Sequence, residues 1–397
     1  QALLNAGYQQ TAGTFHNLTA TTANTVSGQF EAALDRAHLK VNSGAFDYKS
    51  AVKSAVDSLA DTMKYVTYPT GHTDTLEVAA RRAVLTGVNQ TGAKLQVARA
   101  DEMGVEFFET TAHGGARPSH AEWQGRQFHR GGAVDYMGKH YPDFEAATGY
   151  GTGAGLCGWN CRHTFFSIFP ELGAPPAWTQ ESLEALNARG IEYNGGRYTR
   201  YEISQMQRAR ERTVRKYKRR YLAEDAAGAD TTASAVKLRQ ARQELSDFIS
   251  ATGGRADSAR ISVAGFGRSE AGKASYTARK QERFDSANVE LQQMREAGTI
   301  KAKGKLIESP PAPNEINFAS EHVLQRWAER GMGPMDAERI IRSSKVAMSQ
   351  RNGTQTCYYS EYGFVAIGQN GNVSSIGPLD EGGQKLMEVV KKHGIPH

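Results

Sequence analysis

Apolar residues recur at helical spacing in several stretches of the first 250 positions. From Gln29 to His38, and again from Tyr48 to Tyr65, they fall three and four apart. The second set, Ala51, Val52, Ala55, Val56, Leu59 and Met63, makes one face of a helix. Tyr68-Pro69-Thr70-Gly71 breaks that run, and Thr75–Val88 and Ala93–Met103 read as two further helices, the second stopped by Gly104. Before them, Leu3, Leu4 and Tyr8 open a weakly patterned, Thr- and Asn-rich arm. The period then changes: Val105–Thr111 and Thr164–Phe169 have strand character. A short helix over Ser182–Ala188 and a hairpin around Asn194-Gly195 lead into two long helices, about 201–222 and 233–250, joined by a short polar loop as an antiparallel pair.

The segment 251–280 is rich in Gly, Ala and Ser and carries no clear period; its Gly265-x-Gly267 lacks the Gly-Lys-Ser/Thr ending of a phosphate loop. A charged, Pro-rich stretch, 298–313, reads as a linker. Beyond it, helices at Glu321–Arg330 (with Ser320 as cap) and Met335–Ser344 precede strands at Thr354–Ser360, Gly363–Ile367 and Val373–Ile376. A last helix covers Gln384–Lys392. The fold class expected is α+β, mostly helical with small β elements, followed by a small helix and β-meander unit that should fold alone.

At 397 residues, 39% of them hydrophobic, the chain has material for two or three cores, and no apolar run approaches the length needed to cross a membrane. No signal peptide is evident, and three cysteines do not make a disulfide framework, so synthesis in a reducing compartment is expected. The net charge of +6 is concentrated: Arg200–Arg220 holds nine Lys or Arg against two Glu, which leaves the remainder close to neutral. Arg215, Lys216, Arg219 and Arg220 on that helix are candidates for contact with DNA phosphates or an acidic partner; the bland alternative is a solvated face with Arg stems covering apolar surface.

The chemistry is densest between His113 and Pro170. Five histidines (His113, His120, His129, His140 and His163) and two cysteines, Cys157 and Cys161, flank a run of glycines at 149, 151, 153, 155 and 158. Such a run is no helix and lets backbone come close to something else. His120, Cys157, Cys161 and His163 are of the right types for zinc, although the spacing is not that of a standard finger. Buried thiols and hydrogen-bonded histidines explain the same residues without a metal. The stretch is the expected hub of the middle domain, with Trp159 and Cys161 essential to it. A zinc hydrolase centred on His120, Cys161 and His163 is a third reading; it lacks a His-Glu-x-x-His arrangement.

RPSHAEWQGRQF followed by CGWNCRHTFFSIFP resembles the phage minor capsid protein 2 family, related in pattern to the Mu F-like head morphogenesis proteins. The elements concerned are Arg117, Pro118, His120, Gly125 and Arg126, then Trp159 to His163. The resemblance implies a head protein of a tailed phage, made in the bacterial host cytoplasm and carried in the virion. Portal protein, major capsid protein and packaged DNA would be its partners. Its layout would be an arm at 1–47, the capsid domain at 48–297 with the helix hairpin 201–250, the linker 298–313 and a C-terminal domain at 314–397.

In that last domain SEHVLQRWAERGM…DAERII and NGNVSSIGP resemble the Barnase–EndoU–colicin–RelE nuclease superfamily. His322, Arg326 and Arg330 stand four apart on one helix side, a base with two cations, which is what metal-independent RNA cleavage uses. By resemblance, Arg351, Tyr358 or Tyr359, and Ser374 or Ser375 approach from the strands. The domain would then be a ribonuclease toxin acting on RNA, needing no cofactor, with the capsid-like part serving delivery. An inert decoration domain is the alternative.

Overall fold

The computed structural model describes residues 26–44, 46–59, 65–67, 73–313, 315–318 and 321–396, without the side chains of Val26, Ser27, Thr67, Glu321, His322, Val323 and Arg326. The arm opened by Leu3, Leu4 and Tyr8, the apolar position Met63, the break at 68–71 and the Ser320 cap lie outside these. By internal contacts the chain forms two compact units, 1–222 with 240–267, and 223–239 with 268–397. The α+β class is observed, predominantly helical with small antiparallel sheets and a strand-rich C-terminal region.

The first unit opens with α1 (Val26–Asn42), α2 (Tyr48–Leu59), the two-stranded β1 (Tyr65–Thr67) and β2 (Thr73–Thr75), and α3 (Leu76–Met103). Phe30, Leu34, Ala55, Leu59, Ala80 and Val84 meet in one core, as their periodicity requires. The two helices expected before and after Gly92 are one continuous α3, because Gly92 costs only about 1 kcal/mol relative to Ala and neighbouring Thr91 and Ala93 are both buried. Gly104 ends it in the left-handed conformation, φ 64°.

From there β3 (Phe107–Thr110) runs at the centre of a three-stranded antiparallel sheet between β4 (Gln127–His129) and a later strand. Between them come a single turn, α4 (Pro118–Ala121), the hairpin β5 (Val134–Tyr136) and β6 (Lys139–Tyr141), then α5 (Phe144–Thr148). The later strand is β7 (Phe165–Ser167), registered Phe108 to Ser167 and Thr110 to Phe165. The unit continues through α6 (Gln180–Asn187), the hairpin β8 (Ile191–Tyr193) and β9 (Gly196–Tyr198), and α7 (Arg200–Ala226), α8 (Thr232–Thr252) and a 3-10 turn at Ser258–Ile261. In that hairpin Asn194 (φ 47°) and Gly195 (φ 76°) form the tight turn.

The second unit is built on α9 (Arg268–Glu296), which the sequence pattern did not disclose. Its buried positions, Ala274, Ala278, Phe284, Ala287 and Leu291, are mostly alanines among charges. Strand β10 (Lys305–Glu308) lies inside the expected linker and pairs with β11 (Val346–Gln350), a strand hidden between a helix and a turn. With β12 (Gln355–Ser360), β13 (Gly363–Gly368) and β14 (Val373–Gly377) they make a five-stranded antiparallel meander in chain order. α9 and α12 (Glu381–Lys392) cover one face with Phe284, Leu291, Leu386 and Val390; α10 (Glu321–Glu329) and α11 (Pro334–Ser343) cover the other with Trp327, Ile340 and Ile341. No helix among the described residues is long and apolar enough to cross a membrane.

Candidate functional site

The His/Cys stretch folds as loops over the three-stranded sheet. Phe108, Trp123, Phe128, Phe144, Leu156, Cys157, Cys161 and Phe165 form one buried cluster with Ala93 and Ala100 of α3. The glycine run supplies close approach rather than flexibility. A Cβ on Gly155 would lie 1.9 Å from the Gly149 carbonyl oxygen, and one on Gly158 would lie 2.4 Å from that of Gly153. Cys157 (φ 60°) and Asn160 (φ 55°) hold left-handed backbone, which costs a residue with a side chain ~1–2 kcal/mol and persists where surrounding packing dictates it. Trp159, expected in the core, is 49% exposed and lies over Gly153, whereas the buried tryptophan is Trp123.

Three imidazoles converge here. His113 and His163 stack at 4.2 Å between centroids, and His120 and Trp123 meet His163 edge-on at 5.4 and 4.9 Å. His163 Nε2 sits 2.9 Å from Gln124 Oε1, and His120 Nε2 sits 2.9 Å from the Ala154 carbonyl. A carbonyl only accepts, so His120 carries its proton on Nε2 and leaves Nδ1 with a lone pair. Burial, then His113, His120 and Arg117, push the His163 pKa down to about 3, so this ring is neutral. Burial likewise lowers His113 and His120 and raises both thiols, Cys157 and Cys161, which are therefore protonated.

His120, Cys161 and His163 each offer a ligand atom within 4.8 Å of the others, and Cys161 Sγ lies 3.6 Å from His163 Nδ1. Donor types and tautomers fit a zinc ion, with Gln124 and Ala154 as the outer partners that fix ligating imidazoles. Cys157 does not join them; its thiol donates to the His163 carbonyl at 3.5 Å. The set is one ligand short of a closed tetrahedral site. Zinc bound there would cross-link the two halves of the hub. His129 and His140 stand apart, engaging Glu106 at 3.3 Å and Asp135 at 2.8 Å.

On α7 the expected contact residues are largely engaged within the first unit. Arg215 donates to the Arg260 carbonyl, Arg219 pairs with Glu77 at 3.2 Å, and Lys216 lies 5.6 Å over the Tyr217 ring. Arg220 and Lys216 are exposed, and Arg220 also has an interaction of its own. The buried face of the helix includes Gln207, Glu211 and Lys218, a polar stripe that apolar periodicity overlooks.

In the second unit, α10 carries His322 and Arg326 on its backbone, but their side chains lie outside the described residues. Arg330 donates to the Ile376 carbonyl at 2.8 Å. Tyr358 is buried, its hydroxyl 3.3 Å from the Pro311 carbonyl. Ser374 accepts from Gln355 at 2.6 Å and donates to the Ala366 carbonyl. Arg351 (φ 50°) sits in the turn between β11 and β12, four residues along β11 from Ala347, the partner of Tyr358, or about 13 Å of strand. Arg330, Tyr358 and Ser374 thus each hold a hydrogen bond within the unit, and Tyr358 shares its row across the sheet with Ile376, the acceptor of Arg330.

No curated protein and no solved structure matches this chain. A family model does: phage minor capsid protein 2, over residues 1–250, which is more than half of the sequence and carries the whole His/Cys hub. The chain belongs to the phage minor capsid protein 2 family.

Proposed function

We propose that this protein is a structural component of a tailed-phage head, made in the host cytoplasm, carried in the virion and bound to portal or major capsid protein through its first unit. One observation carries the reading within the family assignment: the chemistry-bearing residues of the hub are committed to holding it together. His163 is tied to Gln124, His120 to Ala154 and Cys157 to the His163 carbonyl, in a hub whose thiols are protonated. The test is to purify particles and quantify the protein by mass spectrometry, beside a Trp123→Ala variant. Copies in wild-type particles and their loss with the variant are expected, since emptying a buried indole site costs roughly 3–5 kcal/mol. Absence from wild-type particles overturns the reading. Zinc near one per chain in natively purified protein would assign His120, Cys161 and His163 to a structural metal; zinc well below that assigns them to the S–H···N hydrogen bond.

A second reading, a ribonuclease in residues 314–397 with the head unit as its vehicle, is favoured by one arrangement. α10, with Arg330 reaching the sheet, precedes an antiparallel meander in the expected order. His322 would act as general base and Arg326 or Arg330 would steady the phosphorane-like transition state, without a divalent metal. The full chain incubated with total RNA in chelator should then cleave it, and His322→Ala should lose roughly a hundred- to ten-thousand-fold in rate. Equal cleavage by both proteins discards His322.

A further inference from the structure

Beside the hub, and wholly within the first unit, lies a cleft of about 780 Å³ between the loops at 113–117 and 160–163, the start of α7 and the segment 255–260. Its charge is one-sided. Lys49, Arg117, Arg162, Arg200, Arg208 and Arg255 all line it, and none has an ion-pair partner among the described residues. Arg260 lines it too but is held 3.4 Å from Asp257, the one carboxylate of the lining, which Arg81 already engages at 2.8 Å. The excess of cations in this one cleft matches the net charge of the entire chain.

Such crowding is unfavourable by itself. Burial first, then the guanidinia of Arg260 and Arg162, lower the Arg208 pKa. Structural use accounts for only part of the cluster: Arg117 donates to the Trp159 carbonyl, while Arg215, Lys218 and Arg219, which also serve the fold, lie further along the helix on carbonyls or Glu77. Two further features point to a ligand. His113 Nδ1 donates to the Gly114 carbonyl at 3.2 Å, which leaves Nε2 at the cleft as a buried acceptor without a partner, open to an N–H of a base, and Tyr48 and Tyr201 offer aromatic rings beside the guanidinia. Guanidinium forks suit phosphate oxygens, and aromatic rings suit bases.

The geometry points to this cleft as a binding site for the phosphodiester backbone of a single nucleic-acid strand, with bases stacking on Tyr48 or Tyr201. The volume is that of a ligand pocket and admits a short stretch of one strand, not a duplex about 20 Å across. The site lies outside Arg215, Lys216, Arg219 and Arg220, and it uses no atom of the zinc-type cluster as a ligand. It goes beyond the head assignment, which particle analysis tests separately.

The experiment is fluorescence anisotropy on the full chain with a short labelled oligothymidylate, a duplex of equal length and pyrophosphate as competitor, across a salt series. Lys49→Gln with Arg255→Gln removes two exposed cleft cations. Arg99→Gln with Arg212→Gln removes the same charge from exposed positions of the first unit outside the cleft lining. The cleft pair should weaken single-strand binding about tenfold or more and flatten the salt slope by about 1.4, from ~0.7 per phosphate contact. The outer pair should leave affinity within about twofold. Arg162→Gln with Arg208→Gln, checked for an unchanged melting temperature, should repeat the cleft result. Equal losses in cleft and outer pairs, a duplex bound more tightly than the strand, pyrophosphate bound with no oligonucleotide, or no binding at all would each overturn the assignment.

Discussion

At the scale of single residues, the first unit tolerates unusual choices because neighbours constrain them. Gly155 is required by space rather than by a turn, with the Gly149 carbonyl where its side chain would begin. Gly155→Ala should therefore destabilise the unit by about 3 kcal/mol or more, read as a lower denaturant midpoint. Gly151 has open space where a Cβ would stand but needs φ 87°, so Gly151→Ala should cost only ~1–2 kcal/mol. Lys218 makes a pH prediction. Burial, then Arg242 and Arg215, lower its pKa to about 8, while its Nζ lies 2.6 Å from the Ile261 carbonyl. A lysine depressed on folding favours the neutral form in the folded state, so its contribution is fully present above the unfolded value and lost as pH falls to about 8. Stability should rise between those limits, by at most ~1.4 kcal/mol per pH unit, and Lys218→Met should remove that rise in denaturation curves taken from pH 8 upward.

Among elements, legibility followed the contrast between apolar and polar positions. α1, α2, α8, α11 and the strands β12 to β14 were readable because their buried positions are apolar and periodic, α7 from Ile203, Val214 and Tyr221 although Gln207, Glu211 and Lys218 share its buried face, and β8–β9 because Asn194-Gly195 fixes a turn. α9 was not, since alanines bury without standing out among its Lys, Arg and Glu. β10 was not, because prolines at 310, 311 and 313 mask Leu306 and Ile307 just before them. In the hub, residue types declared the place but not the partners: nothing in spacing says that Cys161 meets His163 while Cys157 turns to a carbonyl. Nor does periodicity reveal the cleft, whose cations come from five separated segments. The missed elements have an energetic consequence. Phe284 and Leu291 of α9 and Leu306 of β10 share a core with Val346, Met348 and Leu386. A fragment of residues 268–397 should unfold cooperatively, whereas 314–397 should show helical circular dichroism with a broad melt and dye binding.

At the scale of the whole molecule, the family match and the compact units share nearly the same frontier without coinciding. The match ends at residue 250, while the first unit runs on to 267 and takes in the turn at 258–261. That turn supplies the carbonyls that receive Arg215 and Lys218. Ending the chain at 250 strands two buried cations, each costing about 1.5–3 kcal/mol for its lost charged hydrogen bond. A fragment of residues 1–267 should therefore melt several degrees above one of residues 1–250 in differential scanning calorimetry.

The helix pair α7 and α8 carries a further implication. Its distal part, 223–239, belongs with the C-terminal unit, where Arg239 pairs with Glu282 of α9 at 2.7 Å, so the backbone passes between the units three times. Phage genomes reshuffle by recombination, and here a single crossover downstream of 267 would graft a new C-terminal module onto an old tip. The newcomer inherits 223–239 as a fixed adapter and must present a surface to suit it. Module exchange at this gene is thus filtered by a short stretch of sequence encoded well upstream of the part being exchanged.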